Sequence, residues 1–179
     1  AGRRRAEKVS CVGLVDRASG QSYLFDATPD MPAQIEALNG GRPPDGIFLT
    51  HAHIGHYTGL MYLGKEAWAT RRVPVYGTQR MIGFLKANGP WSLLVSDSHI
   101  DARAIEPDRA VALPGNLRVT ALTVPHRDEF SDTVGYVIEG PRARVLFVPD
   151  TDRWETWLRP IQALVDTVDH AFLDGTFSS

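Results

Sequence analysis

An α/β domain is predicted by three features of the sequence: short apolar runs of strand length, helical patterns between them, and turn residues at the junctions. Ser10–Val15 and Gln21–Asp26 read as strands, and Ala18-Ser19-Gly20 between them is a hairpin signal. Asp30-Met31-Pro32 opens a helix, with Asp30 as N-cap, Ile35 and Leu38 on its apolar face, and Asn39-Gly40-Gly41 as its stop. Gly46–Thr50 (GIFLT) is a short buried strand. Thr78 caps a second helix that carries Met81, Ile82 and Leu85 and ends at Asn88-Gly89-Pro90. Val111–Leu113, Leu117–Val124, Thr133–Glu139 and Arg144–Val148 are further strands, with Gly140-Pro141 turning between the last two. Trp154–Val165 has helical periodicity, and Pro160 should kink or interrupt it. Ala171–Leu173 is the last strand. There is no internal repeat, low-complexity tract or linker, so residues 1–179 form one domain.

Composition bounds the function. Hydrophobic residues make up 43% and charged residues 22% of the 179, both ordinary for a globular protein. A net charge of -2 argues against a nucleic-acid partner but allows a small-molecule substrate, an anionic one included. A single cysteine, Cys11, excludes an internal disulfide and any zinc site built on several cysteines. No apolar run approaches the roughly 20 residues that span a bilayer, and no apolar signal region opens the chain. The expectation is a cytoplasmic protein that does not engage membranes, with room for a homodimer. The first residue is Ala, and the closing AFLDGTFSS stops just after a strand and its turn, so a piece of a longer chain is expected.

The segment Thr50-His51-Ala52-His53-Ile54-Gly55-His56-Tyr57-Thr58-Gly59 carries most of the chemistry. Three of the six histidines fall within six residues, directly after the GIFLT strand, and sites in open α/β folds form at strand ends. Neutral imidazole suits first-row metals. His51 and His53, two apart on an extended loop, can face one ion together, and His56 can reach a neighbouring one.

This segment resembles the His-x-His-x-Asp-His signature of the metallo-β-lactamase superfamily, and the resemblance extends over most of the chain. It implies a four-layer αββα sandwich, here incomplete at the termini. Asp26, in LFDATPD, matches the acidic residue that supports the metal loop from behind the ligands. His51, His53 and His56 match the signature itself, His126 in TVPHRDEFSDTVGY matches the histidine that completes the first metal site, and Asp150 in LFVPDTD matches the bridging aspartate. The wording of FDATPDMPAQIEAL, THAHIGHYTGL, VPHRDEFSDTVGY and FLDGTF is similar to the branch that holds the B protein of pyrroloquinoline quinone biosynthesis and the phosphonate-pathway phosphodiesterase. The cysteine-rich segment that relatives in that branch often carry before the first strand pair is not seen here, and the chain stops before supplying the further histidine the family expects near its end. One departure lies inside the signature, where Gly55 stands in place of the Asp. The resemblance then implies one tight site at His51, His53, His126 and Asp150, and a doubtful second one at His56 and Asp150. Zinc is the expected ion, with iron or manganese as alternatives.

A bound divalent ion lowers the pKa of its water from 15.7 to about 7. The expected activity is thus a metal-dependent hydrolase that uses a metal-bound hydroxide on an ester, amide or phosphodiester, with Asp150 orienting the nucleophile and Asp174 assisting proton transfer. Two alternatives stand beside it: an iron-dependent oxidoreductase of pyrroloquinoline quinone-type cofactor biosynthesis, and a metal-binding protein of reduced catalysis. Asp174 could equally cap the turn after its strand. Arg127 and Asp128, following His126, read as loop charges before substrate contacts; Tyr57 reads as a packed aromatic before an oxyanion donor. His99 and His170 fit no motif, Trp154 and Trp157 read as core or interface residues, and Arg3–Arg5 as a solvated basic tail before a phosphate contact.

Overall fold

In the strand Ser22–Phe25, Tyr23 and Phe25 face one buried layer and Leu24 the other, as the two-residue period of a strand covered on both faces requires. That alternation organises the whole computed structural model, which describes residues 7–176. The first sheet holds β1 (Val12–Val15), β2 (Ser22–Phe25), β3 (Gly46–Phe48), β4 (Val73–Thr78) and β5 (Ile100–Ile105), in that order. Its β1–β2 hairpin is antiparallel and the remaining pairs are parallel. The second sheet runs β10-β9-β8-β7-β6, from β6 (Ala110–Leu113), β7 (Leu117–Thr123), β8 (Val134–Glu139), β9 (Arg144–Val148) and β10 (His170–Leu173). There β9–β10 is parallel and the rest antiparallel.

Three apolar layers result. Between the sheets, Phe25, Phe48 and Tyr76 stack in sequence with ring centroids 5.1 and 4.4 Å apart, and Tyr136 of β8 meets Phe25 and Phe48 edge-on. Outside the first sheet, Leu24, Ile47 and Val75 pack against α1 (Met31–Asn39), α3 (Gln79–Ala87) and α4 (Trp91–Ser96) through Met31, Ile35, Met81, Leu85 and Leu94. Outside the second, Leu122, Val137, Leu146 and Val148 meet Trp157 and the short helix Ile161–Val165. The layers are helix, sheet, sheet, helix, as the resemblance implies.

Most elements lie where the sequence places them, with ends shifted by a residue or two. Thr78 caps α3 with its hydroxyl, accepting from Met81 N at 3.3 Å. Asp30 does not cap α1: its Oδ2 instead accepts the backbone N–H of Val9 at 2.9 Å, and Gly40 closes the helix in a left-handed conformation. The expected helix over Trp154–Val165 is broken. Trp154–Thr156 is a single 3-10 turn, and the α-helix begins only after Pro160, whose ring cannot follow a helical turn but can precede one. Trp157 is buried, its indole N–H donating to Thr123 O at 2.7 Å. Two strands, β4 and β5, were not legible in the sequence. The tail Arg3–Arg5 lies outside the described residues.

Gly59 fixes the turn beside the future site. Its N–H donates to Ala27 O at 2.8 Å, and an added Cβ would fall 2.2 Å from Thr28 O and 2.9 Å from Ala27 O. Both obstacles are backbone, so neither can swing aside. Gly59→Ala is expected to destabilise the fold by about 1–3 kcal/mol, the usual cost of overpacking, read from the midpoint of urea unfolding. An unchanged midpoint would show that the turn has more room than this.

Candidate metal centre

Every residue singled out for metal chemistry lies in a segment that follows the C-terminal end of a strand. Asp26 follows β2, His51 and His53 follow β3, His126 follows β7 and Asp150 follows β9. His56 lies in the single-turn helix α2 (Ile54–Tyr57). The loop after β3 is clamped to the second sheet: Tyr136 Oη donates to Leu49 O at 2.6 Å, Val134 N to Thr50 O at 3.1 Å, and Ala52 N to Ser131 Oγ at 2.9 Å.

Asp26 organises the inner side. It is fully buried and holds a positive φ of 71°, uncommon for a non-glycine residue and maintained here by its bonds. Its carboxylate accepts Thr50 N at 2.8 Å, Thr50 Oγ1 at 2.9 Å and His56 Nδ1 at 2.7 Å. Thr50 Oγ1 also lies 2.9 Å from His51 Nδ1, so one aspartate reaches both His51 and His56.

Four donor atoms converge above this support: His51 Nε2, His53 Nδ1, His126 Nε2 and Asp150 Oδ2. One ligand atom from each of these residues can be chosen so that all lie within 4.8 Å of one another. His53 Nδ1 is 2.9 Å from His51 Nε2 and 3.2 Å from His126 Nε2, and Asp150 Oδ2 is 3.6 Å from both His51 Nε2 and His126 Nε2. Ligand atoms about 2.1 Å from a tetrahedral zinc lie about 3.4 Å apart. The donor set, three imidazoles and a carboxylate, thus fits one first-row divalent ion in chemistry and in spacing. His56 stands beside it, its Nε2 3.4 Å from Asp150 Oδ2 and outside the four-donor group.

The charges follow from burial. Burial and the neighbouring His56 charge push His51 down to about 2, so it is neutral and free to ligate. Burial also acts against charge on His56, but the Asp26 carboxylate and the bond to Asp150 outweigh it and raise the imidazole to about 10. Burial raises Asp150, yet the hydrogen bond from His56 and the His56 charge outweigh it and leave the carboxyl below the usual carboxylate range. Burial, with Asp26 nearby, drives the Cys11 thiol far up, so it is no nucleophile.

Other expected residues are placed as follows. Asp174 lies outside the four-donor group. Its Oδ2 accepts Thr151 N at 3.1 Å and its Oδ1 accepts Thr176 N at 2.8 Å, and it shares a cavity of about 540 Å³ with Asp150, Ser10 and Phe172. Arg127 points to Glu129 at 3.5 Å, and Asp128 to Arg80 at 3.3 Å. Tyr57 is packed between Phe84 and Trp91. His99 binds Thr70 O through Nδ1 at 2.9 Å, away from the centre, and His170 is exposed on β10. Two residues were missed: Glu129, whose Oε2 is 3.0 Å from His53 Nε2, and Asp152, whose Oδ1 is 2.8 Å from His126 Nδ1. The spacing of Asp150 and Asp152, two apart after a strand, was the available signal, since such residues point to one side of an extended chain.

Residues 21–179 match the model of the Beta-lactamase superfamily domain. Coenzyme PQQ synthesis protein B of Methylococcus capsulatus is 25% identical over 185 residues, covering 89% of this chain and 59% of its own length. Among solved structures, zinc-bound PqqB from Methylobacterium extorquens superposes with a TM-score of 0.78 at 22% identity, covering 97% of this chain and 62% of that one. A diphosphatase of the PhnP family superposes with a TM-score of 0.51 at 21% identity, over 71% of this chain and 46% of that one. The human short-form tRNase Z does so at 0.52 and 20% identity, over 79% and 64%. The chain thus spans about three fifths of the length of the PQQ synthesis relatives it matches. It belongs to the β-lactamase superfamily and has the metallo-β-lactamase fold.

Proposed function

We propose that this β-lactamase superfamily chain is a metal-dependent hydrolase acting on an ester, amide or phosphodiester bond of a small molecule. The convergence of His51 Nε2, His53 Nδ1, His126 Nε2 and Asp150 Oδ2 carries this reading. These four residues would hold one ion, zinc in the first place. When bound, it supplies Lewis acidity and a water of lowered pKa. Asp150 is half-buried and kept ionised beside the His56 cation, so its carboxylate can orient a water and accept its proton. Asp174, whose oxygens are taken up by backbone N–H groups, holds the Asp150–Asp152 turn in place. No helix among the described residues is long and apolar enough to cross a membrane.

A second reading is favoured by Gly55 and by the 25% identity to a PQQ synthesis protein over 89% of the chain. In it the same ligands hold iron for an oxidation in cofactor biosynthesis, since His and carboxylate ligands suit iron as well. Metal analysis of the purified protein, with hydrolysis of bis-p-nitrophenyl phosphate and oxygen uptake, separates the two. Zinc with phosphodiester turnover is the expected result. Tightly held iron with oxygen-dependent turnover would replace the first reading by the second, and no retained metal would overturn both.

A further inference from the structure

Glu129 and Asp152 have no part in the chemistry proposed above, yet each stands on the far nitrogen of a donor histidine. Asp152 Oδ1 lies 2.8 Å from His126 Nδ1, and Glu129 Oε2 lies 3.0 Å from His53 Nε2. The two histidines present opposite nitrogens to the centre: Nε2 from His126 and Nδ1 from His53. A neutral imidazole carries one proton, and it resides on the nitrogen that has an acceptor. Each carboxylate therefore holds the proton on the outer nitrogen and leaves a bare lone pair on the inner one.

We infer that Glu129 and Asp152 are the positioning residues of this centre, fixing the tautomers of His53 and His126 so that one divalent cation is held tightly. This rests on the metal-centre reading above. Two bare imidazole nitrogens 3.2 Å apart repel unless a cation lies between them. His51 is held differently, through buried Thr50 to Asp26, with no side chain exposed to solvent. The outer carboxylates are instead exposed, 46% each, and come from two loops of the second sheet, after β7 and after β9. Their negative charges also sit near a centre that lacks the carboxylate at position 55. The inner and outer halves of the ligand set are thus oriented by different sheets, and the outer half can be altered without opening the core.

The test uses the whole chain, stripped of metal, with zinc titrated against a chromophoric chelator. Asp152→Asn and Glu129→Gln are each expected to weaken zinc binding by about 10–100-fold, the usual effect of losing such a partner, and the double variant more than either. Asp128→Asn, which removes a neighbouring exposed carboxylate that faces Arg80 and no ligand, should stay within about threefold because its charge is screened. Long-range ¹H–¹⁵N imidazole spectra of the metal-free protein give a readout that a merely structural role would not move. His126 should be protonated at Nδ1 and His53 at Nε2, and each variant should mix the tautomers of its own histidine alone. Zinc bound by the unaltered chain and equally by both variants, with unchanged tautomers, would overturn this inference and leave the metal centre standing. Failure of the unaltered chain to hold zinc would overturn both.

Discussion

Asp26→Ala is expected to lower the unfolding free energy of the metal-free protein by about 3–5 kcal/mol, the usual result of stripping one partner from a buried charge pair. The substitution leaves the buried His56 cation with only the longer Asp150 contact, at 3.4 Å, as counter-ion, and it leaves Thr50 N and Thr50 Oγ1 without their acceptor. The effect should depend on pH in a way that identifies the pair. His56 is raised from 6.5 to about 10 in the fold, so its contribution is fully present below 6.5 and is lost as pH rises toward 10. His51 is lowered from 6.5 to about 2, so its contribution is present above 6.5 and is lost as pH falls. The two adjacent rings, 4.2 Å apart, thus press the metal-free fold toward a stability optimum near neutrality. Urea unfolding of both proteins between about pH 5 and 10 checks this. The alkaline limb should become shallower in Asp26→Ala, where only Asp150 is left to hold the His56 proton. A loss below about 1 kcal/mol, or an alkaline limb of unchanged slope, would show that Asp26 does not stabilise the charged imidazole.

The same residues explain how much was legible in the sequence. The ligand positions were readable because four histidines and an aspartate follow strands with plain patterns, short apolar runs in β3 and β9 and an alternating one in β7, so strand ends and ligand positions coincide. The strands β4 and β5 were not, because each violates the pattern used to find strands. In β4, VPVYGT, Pro74 lacks an N–H and Gly77 lacks a side chain, yet β3 begins to pair with β4 only at Val75. In β5, IDARAI, the middle residues are charged or small because it is an edge strand with a partly exposed centre. Gly77 packs its backbone against Met81, an added Cβ there falling 3.0 Å from Met81 Cγ, a contact between strand and helix that no local pattern announces. Glu129 and Asp152 were missed for a related reason. A loop carboxylate is ordinary in sequence, and only the approach of two loops that join different strands shows that it faces a ring nitrogen.

Gly55→Asp is expected to raise the metal held per chain after dialysis from one toward two. The natural protein offers a second ion only His56 Nε2 and Asp150 Oδ2, which lie 3.4 Å apart. Two dications about 4 Å apart repel by roughly 16 kcal/mol at an effective dielectric constant of 20. One shared carboxylate offsets only part of this, so the second ion should bind weakly or be lost on dialysis. The added carboxylate supplies both a ligand oxygen and a negative charge. The backbone accepts it: Gly55 has no positive φ, and a Cβ there would meet only Val9 Cγ1 at 3.6 Å, an ordinary contact. A side chain in place of glycine in α2 also favours the helical backbone slightly. The unaltered protein should retain one equivalent and Gly55→Asp more than one, with the thermal midpoint of the metal-free form little changed. Two equivalents in the unaltered protein would mean that another residue replaces the missing carboxylate, and the second site would have to be redrawn around it. One equivalent in both would place His56 outside metal binding altogether, as the partner that keeps Asp150 ionised.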